Sequence, residues 1–147
     1  MYEHILVPYD GSSESRKGAA HGVELAAALG STVHGLYVID LPGAPRALSL
    51  RDDEERLREE YQSYGEEVLE ELGEMAADAG VTYESAIKSG AISEEIVEYA
   101  EDEEMDVIVM GTGYRGTVGS LIGGKADRVV RSATVPVITR RTQIDEV

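Results

Sequence analysis

The chain lacks cysteine altogether, and it contains no tryptophan, no phenylalanine and only four prolines in 147 residues. Without cysteine, disulfide bonds, thiol catalysis and cysteine-ligated metal sites are excluded. No apolar run approaches the roughly 20 residues that a membrane-spanning helix requires. The amino terminus, MYEHILVPYDG, has neither the basic start nor the apolar middle of a signal peptide. We therefore expect a cytoplasmic protein that does not associate with membranes.

Positive charge is also scarce, because 13 basic residues face 29 acidic ones and the net charge is −16. Such a surface repels nucleic acid and anionic membranes. The acidity is consistent with a basic protein partner, or with a solvated coat suited to a salty cytoplasm in which counterions screen self-repulsion. The coat is the simpler explanation. Few lysines and many acidic residues fit a halophile, and we expect a protein of a halophilic archaeon.

Apolar runs and apolar periodicity alternate along the whole chain. The runs predict five strands, at residues 4–9, 32–40, 81–88, 106–111 and 135–139. The periodicity predicts four intervening helices, at residues 12–30, 51–79 and 91–104 and around Ala126, Val129, Val130 and Ala133. In the long second helix, one apolar stripe consists of Leu57, Tyr61, Tyr64, Val68, Leu72 and Met75.

This alternation predicts one domain over residues 1–147 with a parallel sheet covered by helices on both faces, a three-layer α/β/α sandwich. Pro136 cannot donate to a ladder, so the last strand should lie at an edge of the sheet. The tail from about residue 141 should be mobile. Ligands of such sheets bind beyond the carboxyl ends of the strands, where the strand order reverses.

A glycine-rich segment follows the fourth strand and lies at that expected binding edge. Its glycines are Gly111, Gly113, Gly116, Gly119, Gly123 and Gly124. Glycines let a backbone approach a phosphate closely, and the next helix offers unpaired N–H groups. Residues 111–147 also hold six of the thirteen basic residues and only three acidic ones. An anion site is favoured, although a ligand-free turn between strand and helix explains the spacing equally well.

Other readings of the candidate residues are weaker. GTGYRG at residues 111–116 matches a dinucleotide fingerprint literally, but only one strand follows it and that strand ends in Arg140 and Arg141. Asp10 and Asp40 end strands at the binding edge and could touch a ribose or a nucleotide-borne metal, or simply form turns. The three histidines have no metal-ligand spacing and are interpreted as structural or surface residues. No catalytic constellation is visible, so an enzyme is not expected.

Four segments in this order resemble the universal stress protein family. They are ILVPYDGSSES, LYVID, DVIVMGTG and VPVIT, and the resemblance covers nearly the whole chain. It implies a five-stranded parallel sheet in the order 3-2-1-4-5, of the adenine nucleotide alpha hydrolase-like kind. It also implies a homodimer formed through the last strand, between Val135 and Thr139.

One branch of that family binds ATP through the motif G-x2-G-x9-G-[ST]. Here Gly113 and Gly123 keep the longer spacing, but the first gap is one residue short and Gly124 replaces the hydroxyl residue. By this resemblance, Asp10 would reach the ribose or a Mg²⁺ ion, the Val38 backbone would read the adenine edge, and Pro8 and Tyr9 would line the pocket. The other predicted nucleotide-binding residues lie at the end of strand four and in the segment that follows it, namely Met110, Gly111, Gly113, Arg115, Gly123, Gly124 and Lys125.

Two hypotheses about function follow. The first is a non-enzymatic stress-response module that binds ATP or another adenine nucleotide at the glycine loop, with little or no hydrolysis. The second is a homodimer that binds no nucleotide and acts through protein contacts.

Overall fold

The computed structural model describes residues 1–40, 51–113 and 125–142. Within these residues, strands and helices alternate as the periodicity predicts. They are β1 (His4–Pro8), α1 (Ser13–Leu29), β2 (Thr32–Ile39), α2 (Arg51–Asp78), β3 (Thr82–Ser89), α3 (Ile92–Asp102), β4 (Val107–Thr112), α4 (Ala126–Ser132) and β5 (Val137–Arg141). In the part of the chain described, no helix is long and apolar enough to cross a membrane.

All five strands are parallel and lie in the order β3-β2-β1-β4-β5, which confirms the predicted fold. Helices α1 and α2 pack on one face around Val7, Val23 and Leu72, and α3 and α4 pack on the other around Ile96 and Ile108. β4 is covered on both faces and is buried from Val107 to Gly111. The continuous apolar sequence of this strand follows from that double burial.

Helix α1 begins and ends where its sequence predicts. Ser12 is the N-cap, and its hydroxyl accepts the backbone N–H of Ser15. Gly30 closes the helix in the left-handed conformation at φ 71°. Because the cap lies two residues after Asp10, the amino end of α1 is held at the carboxyl end of β1.

The last strand lies at the sheet edge as predicted, but its predicted bounds are wrong. β5 runs from Val137 to Arg141, not from 135 to 139. Pro136 stands just before it, and the Pro136 carbonyl accepts the N–H of Ile108. Backbone pairing between β4 and β5 then continues as far as Thr142, which donates its N–H to the carbonyl of Thr112. Arg141 is therefore part of the sheet, whereas it was predicted to begin a mobile tail; residues 143–147 lie outside the described residues.

Candidate functional site

The sheet reverses its strand order at β1, which lies between β2 and β4. Pro8 is level with Leu36 on β2, and Leu6 is level with Ile108 on β4. Counting forward along each strand places Asp10 level with Val38 on one side and with Thr112 on the other. The carboxyl ends of β1, β2 and β4 therefore meet at one edge, which we call the switch-point rim and define by Asp10, Val38 and Gly111.

Asp10 shapes the turn that starts α1. Its Oδ1 atom accepts the backbone N–H of Ser12 at 3.0 Å and the Ser12 hydroxyl at 2.5 Å. Its own N–H donates to the Ser15 hydroxyl at 3.3 Å, and Tyr64 of α2 donates its hydroxyl to the Asp10 carbonyl at 3.0 Å. Asp10 thus forms the turn that was considered for it from the sequence. These hydrogen bonds hold its carboxylate at the rim.

Val38 presents its backbone to the rim. The N–H of Tyr9 donates to the carbonyl of Leu36, whereas the N–H of Gly90 donates to the carbonyl of Ile39 on the opposite side of β2. Backbone groups alternate in direction along a strand, so the N–H and C=O of Val38 point toward β1. Its side chain is buried against the α3 face. Main-chain hydrogen bonding is therefore the chemistry that Val38 offers at this edge.

Helix α1 lies directly on the backbone at the end of β4. A Cβ atom added to Gly111 would be 1.7 Å from the carbonyl oxygen of Glu14, and one added to Gly18 would be 2.3 Å from the Gly111 nitrogen. Only glycine at both positions permits this approach. Sequence reasoning assigned Gly111 to a phosphate loop and missed Gly18, although Gly18 and Gly22 at a spacing of four are a signal for close packing.

Tyr9 contributes its backbone to the rim, while its side chain is fully buried in the α1 and α2 face. Its hydroxyl donates to Oε1 of Glu71 at 2.6 Å, and Nε of Arg16 donates to the same oxygen at 2.9 Å. Burial, followed by this contact with Glu71, raises the pKa of the Tyr9 phenol far above its ordinary value. The hydrogen bond from Arg16, followed by that from Tyr9, lowers the pKa of Glu71. The Tyr9 side chain therefore faces the core, and only its main chain lies at the rim.

We expect the Tyr9→Phe variant to lower the free energy of unfolding by about 1–3 kcal/mol, because it removes a partly buried hydrogen bond from the Tyr9 hydroxyl to a carboxylate. Urea denaturation at pH 7 measures the change. Tyr61→Phe is the matched control, since the Tyr61 ring is 40% exposed and should tolerate the loss of its hydroxyl. Equal stabilities of the two variants would contradict the importance of the Tyr9–Glu71 contact.

The remaining predicted site residues divide into two groups. Met110 is fully buried and Gly113 is partly exposed, both at the end of β4, and Lys125 is the N-cap position of α4. Arg115, Gly123 and Gly124 lie outside the described residues. Among the residues that are described, no group of three or more His, Asp or Glu side chains is arranged to hold a metal ion.

These features define the class: a parallel α/β protein whose strand order reverses at β1, between β2 and β4. The model of the universal stress protein family matches residues 1–141, and the chain belongs to that family.

Relatives and solved structures agree with this assignment over nearly the full length. A universal stress protein of Methanocaldococcus jannaschii is 36% identical over 142 residues, which are 94% of this chain and 81% of the relative. The structure of the universal stress protein UspA from Lactobacillus plantarum superposes with a TM-score of 0.82 at 25% identity, covering 95% of this chain and 98% of that one.

A universal stress protein from Archaeoglobus fulgidus, solved in complex with dAMP, has a TM-score of 0.67 at 23% identity. The superposition covers 94% of this chain and 97% of the Archaeoglobus fulgidus chain. At that identity the similarity shows a shared fold.

Proposed function

We propose that the switch-point rim binds an adenine nucleotide and that the protein is a non-enzymatic stress-response module. The observation that carries the proposal is the direction of the Val38 backbone, whose N–H and C=O face the rim beside the Asp10 carboxylate. A paired donor and acceptor of this kind matches the edge of an adenine ring. The dAMP complex of the Archaeoglobus fulgidus relative gives this ligand class further support.

The phosphate end of the nucleotide would lie toward β4 and α1. Gly111 brings the end of β4 against helix α1, so the amino end of α1 begins at the same edge. The unpaired N–H groups of a helix amino end favour a negative charge. Lys125, together with Arg115 and the glycines at 123 and 124, would add donors and charge, and Asp10 would hold a Mg²⁺ ion carried by ATP. Among the described residues we assign none as a general base, so we propose that the protein binds the nucleotide with little or no hydrolysis. We also propose that it acts in the cytoplasm.

The test is isothermal titration at high salt with AMP and with ATP plus Mg²⁺. We expect binding by the unaltered protein and roughly tenfold weaker binding by Asp10→Asn, because the variant loses the stronger hydrogen bonds of a charged acceptor. Asparagine keeps an Oδ1 atom for Ser12, so the turn should remain. Asp78→Asn at the end of α2 is the control for the loss of one negative charge. No heat of binding with either nucleotide, or equal affinities of Asp10→Asn and the unaltered protein, would contradict the proposal.

A second candidate is a homodimer that acts through protein contacts without nucleotide. It is favoured by β5, which pairs with β4 along one side and forms the edge of the described sheet. Two copies could continue the sheet through this strand, now bounded by Val137 and Arg141. Sedimentation equilibrium distinguishes the candidates when it is combined with the titration: a dimer with no nucleotide affinity supports the second, and a nucleotide-free monomer contradicts both.

A further inference from the structure

Two histidines form a hydrogen-bonded pair at the end of the sheet opposite the rim. Nδ1 of His4 and Nε2 of His34 are 3.0 Å apart, and the two rings meet edge to face with centroids 5.1 Å apart. His4 begins β1, and His34 lies near the start of β2, where it is only 7% exposed. The pair therefore joins neighbouring strands at their amino ends through side chains, next to the α3 face of the core.

Acidic groups face this pair from three neighbouring elements. On β3, Glu84 lies opposite His34 in register, and its Oε2 is 3.9 Å from His34 Nε2. At the end of α3, Glu103 is close enough to interact with both His34 and Tyr99. Before β4, the Asp106 carboxylate accepts the N–H groups of Glu3 and His4.

These carboxylates favour the first proton that the pair takes up, but they cannot remove the conflict created by a second one. A hydrogen bond between two imidazoles needs one N–H donor and one bare nitrogen, and either ring can take either role. One added proton can go to the far nitrogen of the donor ring and leave the bond intact. A second proton must occupy the accepting nitrogen. Two N–H groups on two cations would then face each other at the 3.0 Å now spanned by the bond.

We propose that the His4–His34 pair is an acid-sensitive switch that holds the amino ends of β1 and β2 together at neutral pH and releases them when both rings are protonated. The switch responds to the binding of protons by the two imidazole rings. The two histidines lie at the end of the sheet opposite the proposed nucleotide site, so this proposal does not depend on nucleotide binding.

The direction of the pH dependence follows from His34. Burial, the largest cause, lowers the pKa of His34 below its ordinary value of 6.5, and the neighbouring His4 acts in the same direction. Glu84 and Glu103 oppose this shift without reversing it. The folded state therefore binds fewer protons at this site than the unfolded state does. The stabilisation is fully present above pH 6.5 and is lost as pH falls from there through the lower pKa of the folded state.

The experiment is a double-mutant cycle of unfolding by urea, measured at high salt between pH 7.5 and 4.5. His34→Gln and His4→Asn place amide groups near the positions of Nε2 and Nδ1 without a titratable ring. We expect the coupling between the two sites to favour folding by at least about twofold at pH 7.5, which is the lower end for contacting residues, and to disappear at pH 4.5. His21→Gln on α1 is the matched control and should keep the pH dependence of the unaltered protein.

A second readout separates a switch from a merely structural pair. Amide hydrogen exchange at residues 4–7 and 32–35 should accelerate on acidification more in the unaltered protein than in the double variant, after correction for intrinsic exchange. The same pH dependence in the double variant would overturn the proposal, as would coupling that does not change with pH. A zinc-dependent rise in melting temperature that is lost in His4→Asn would also overturn it, because the pair would then be a metal ligand.

Discussion

Replacing Gly111 with alanine is expected to lower the free energy of unfolding by about 3 kcal/mol, the upper part of the range for an overpacked core. The added Cβ would be 1.7 Å from the carbonyl oxygen of Glu14, which is a backbone atom and cannot rotate away. Helix α1 would have to move off β4, and the buried contact between Gly18 and Gly111 would open. Urea denaturation at neutral pH measures the loss.

The matched control is Gly30→Asn. Gly30 has a positive φ of 71°, but an added Cβ would meet nothing within 4 Å, and asparagine tolerates the left-handed conformation better than other residues. We expect a loss of less than about 1 kcal/mol in this variant. If Gly111→Ala were as stable as the control, α1 would not be pressed against β4 as described, and the close approach at the rim would be refuted.

Leu72→Ala is expected to cost about 3 kcal/mol, within the range for a buried leucine replaced by alanine. Leu72 is fully buried between α2 and the sheet, where it also lies near Gly35 of β2. Leu57→Ala makes the same chemical change on the same helix, but Leu57 is 36% exposed. The control should therefore lose well under half as much stability, and similar losses in the two variants would show that the amino-terminal half of α2 also belongs to the core.

This contrast shows how far periodicity alone could predict burial in α2. The apolar stripe correctly predicted a helix and the face that packs, since Val68 and Leu72 are buried. It wrongly implied burial along its whole length, because Tyr61 and Tyr64 are 40% and 45% exposed. A helix of 28 residues is about 42 Å long, whereas an eight-residue strand spans about 26 Å. The long helix extends past the strands, and its stripe therefore extends past the core.

A similar limit applies to α4 and to the contacts of Tyr9. Val129 is buried as the pattern predicts, but Val130 lies about 100° further around the helix and is 51% exposed. The alternation along β1 places the Tyr9 side chain on the same face of the sheet as Ile5 and Val7. It does not predict the hydrogen bond to Glu71, which is 62 positions away in the sequence. No local pattern reports a contact of that separation.

The fold itself was predictable because every strand and helix carries a consistent pattern. The order of the strands and the family are both confirmed. The sequence alone did not decide between an anion site and a ligand-free turn, because the first gap of the glycine motif is one residue short and Gly124 replaces the hydroxyl residue. The capacity of that motif to bind phosphate, the origin in a halophile and the dimer remain predictions.

The proposal that an adenine nucleotide binds at the switch-point rim is tested most directly by an NMR titration of the ¹⁵N-labelled protein with AMP at high salt. The account predicts that the largest amide shifts fall at residues 9–12, 38–40 and 110–113, the ends of β1, β2 and β4. Shifts concentrated at the opposite end of the sheet, or no saturable shifts at millimolar AMP, would contradict it.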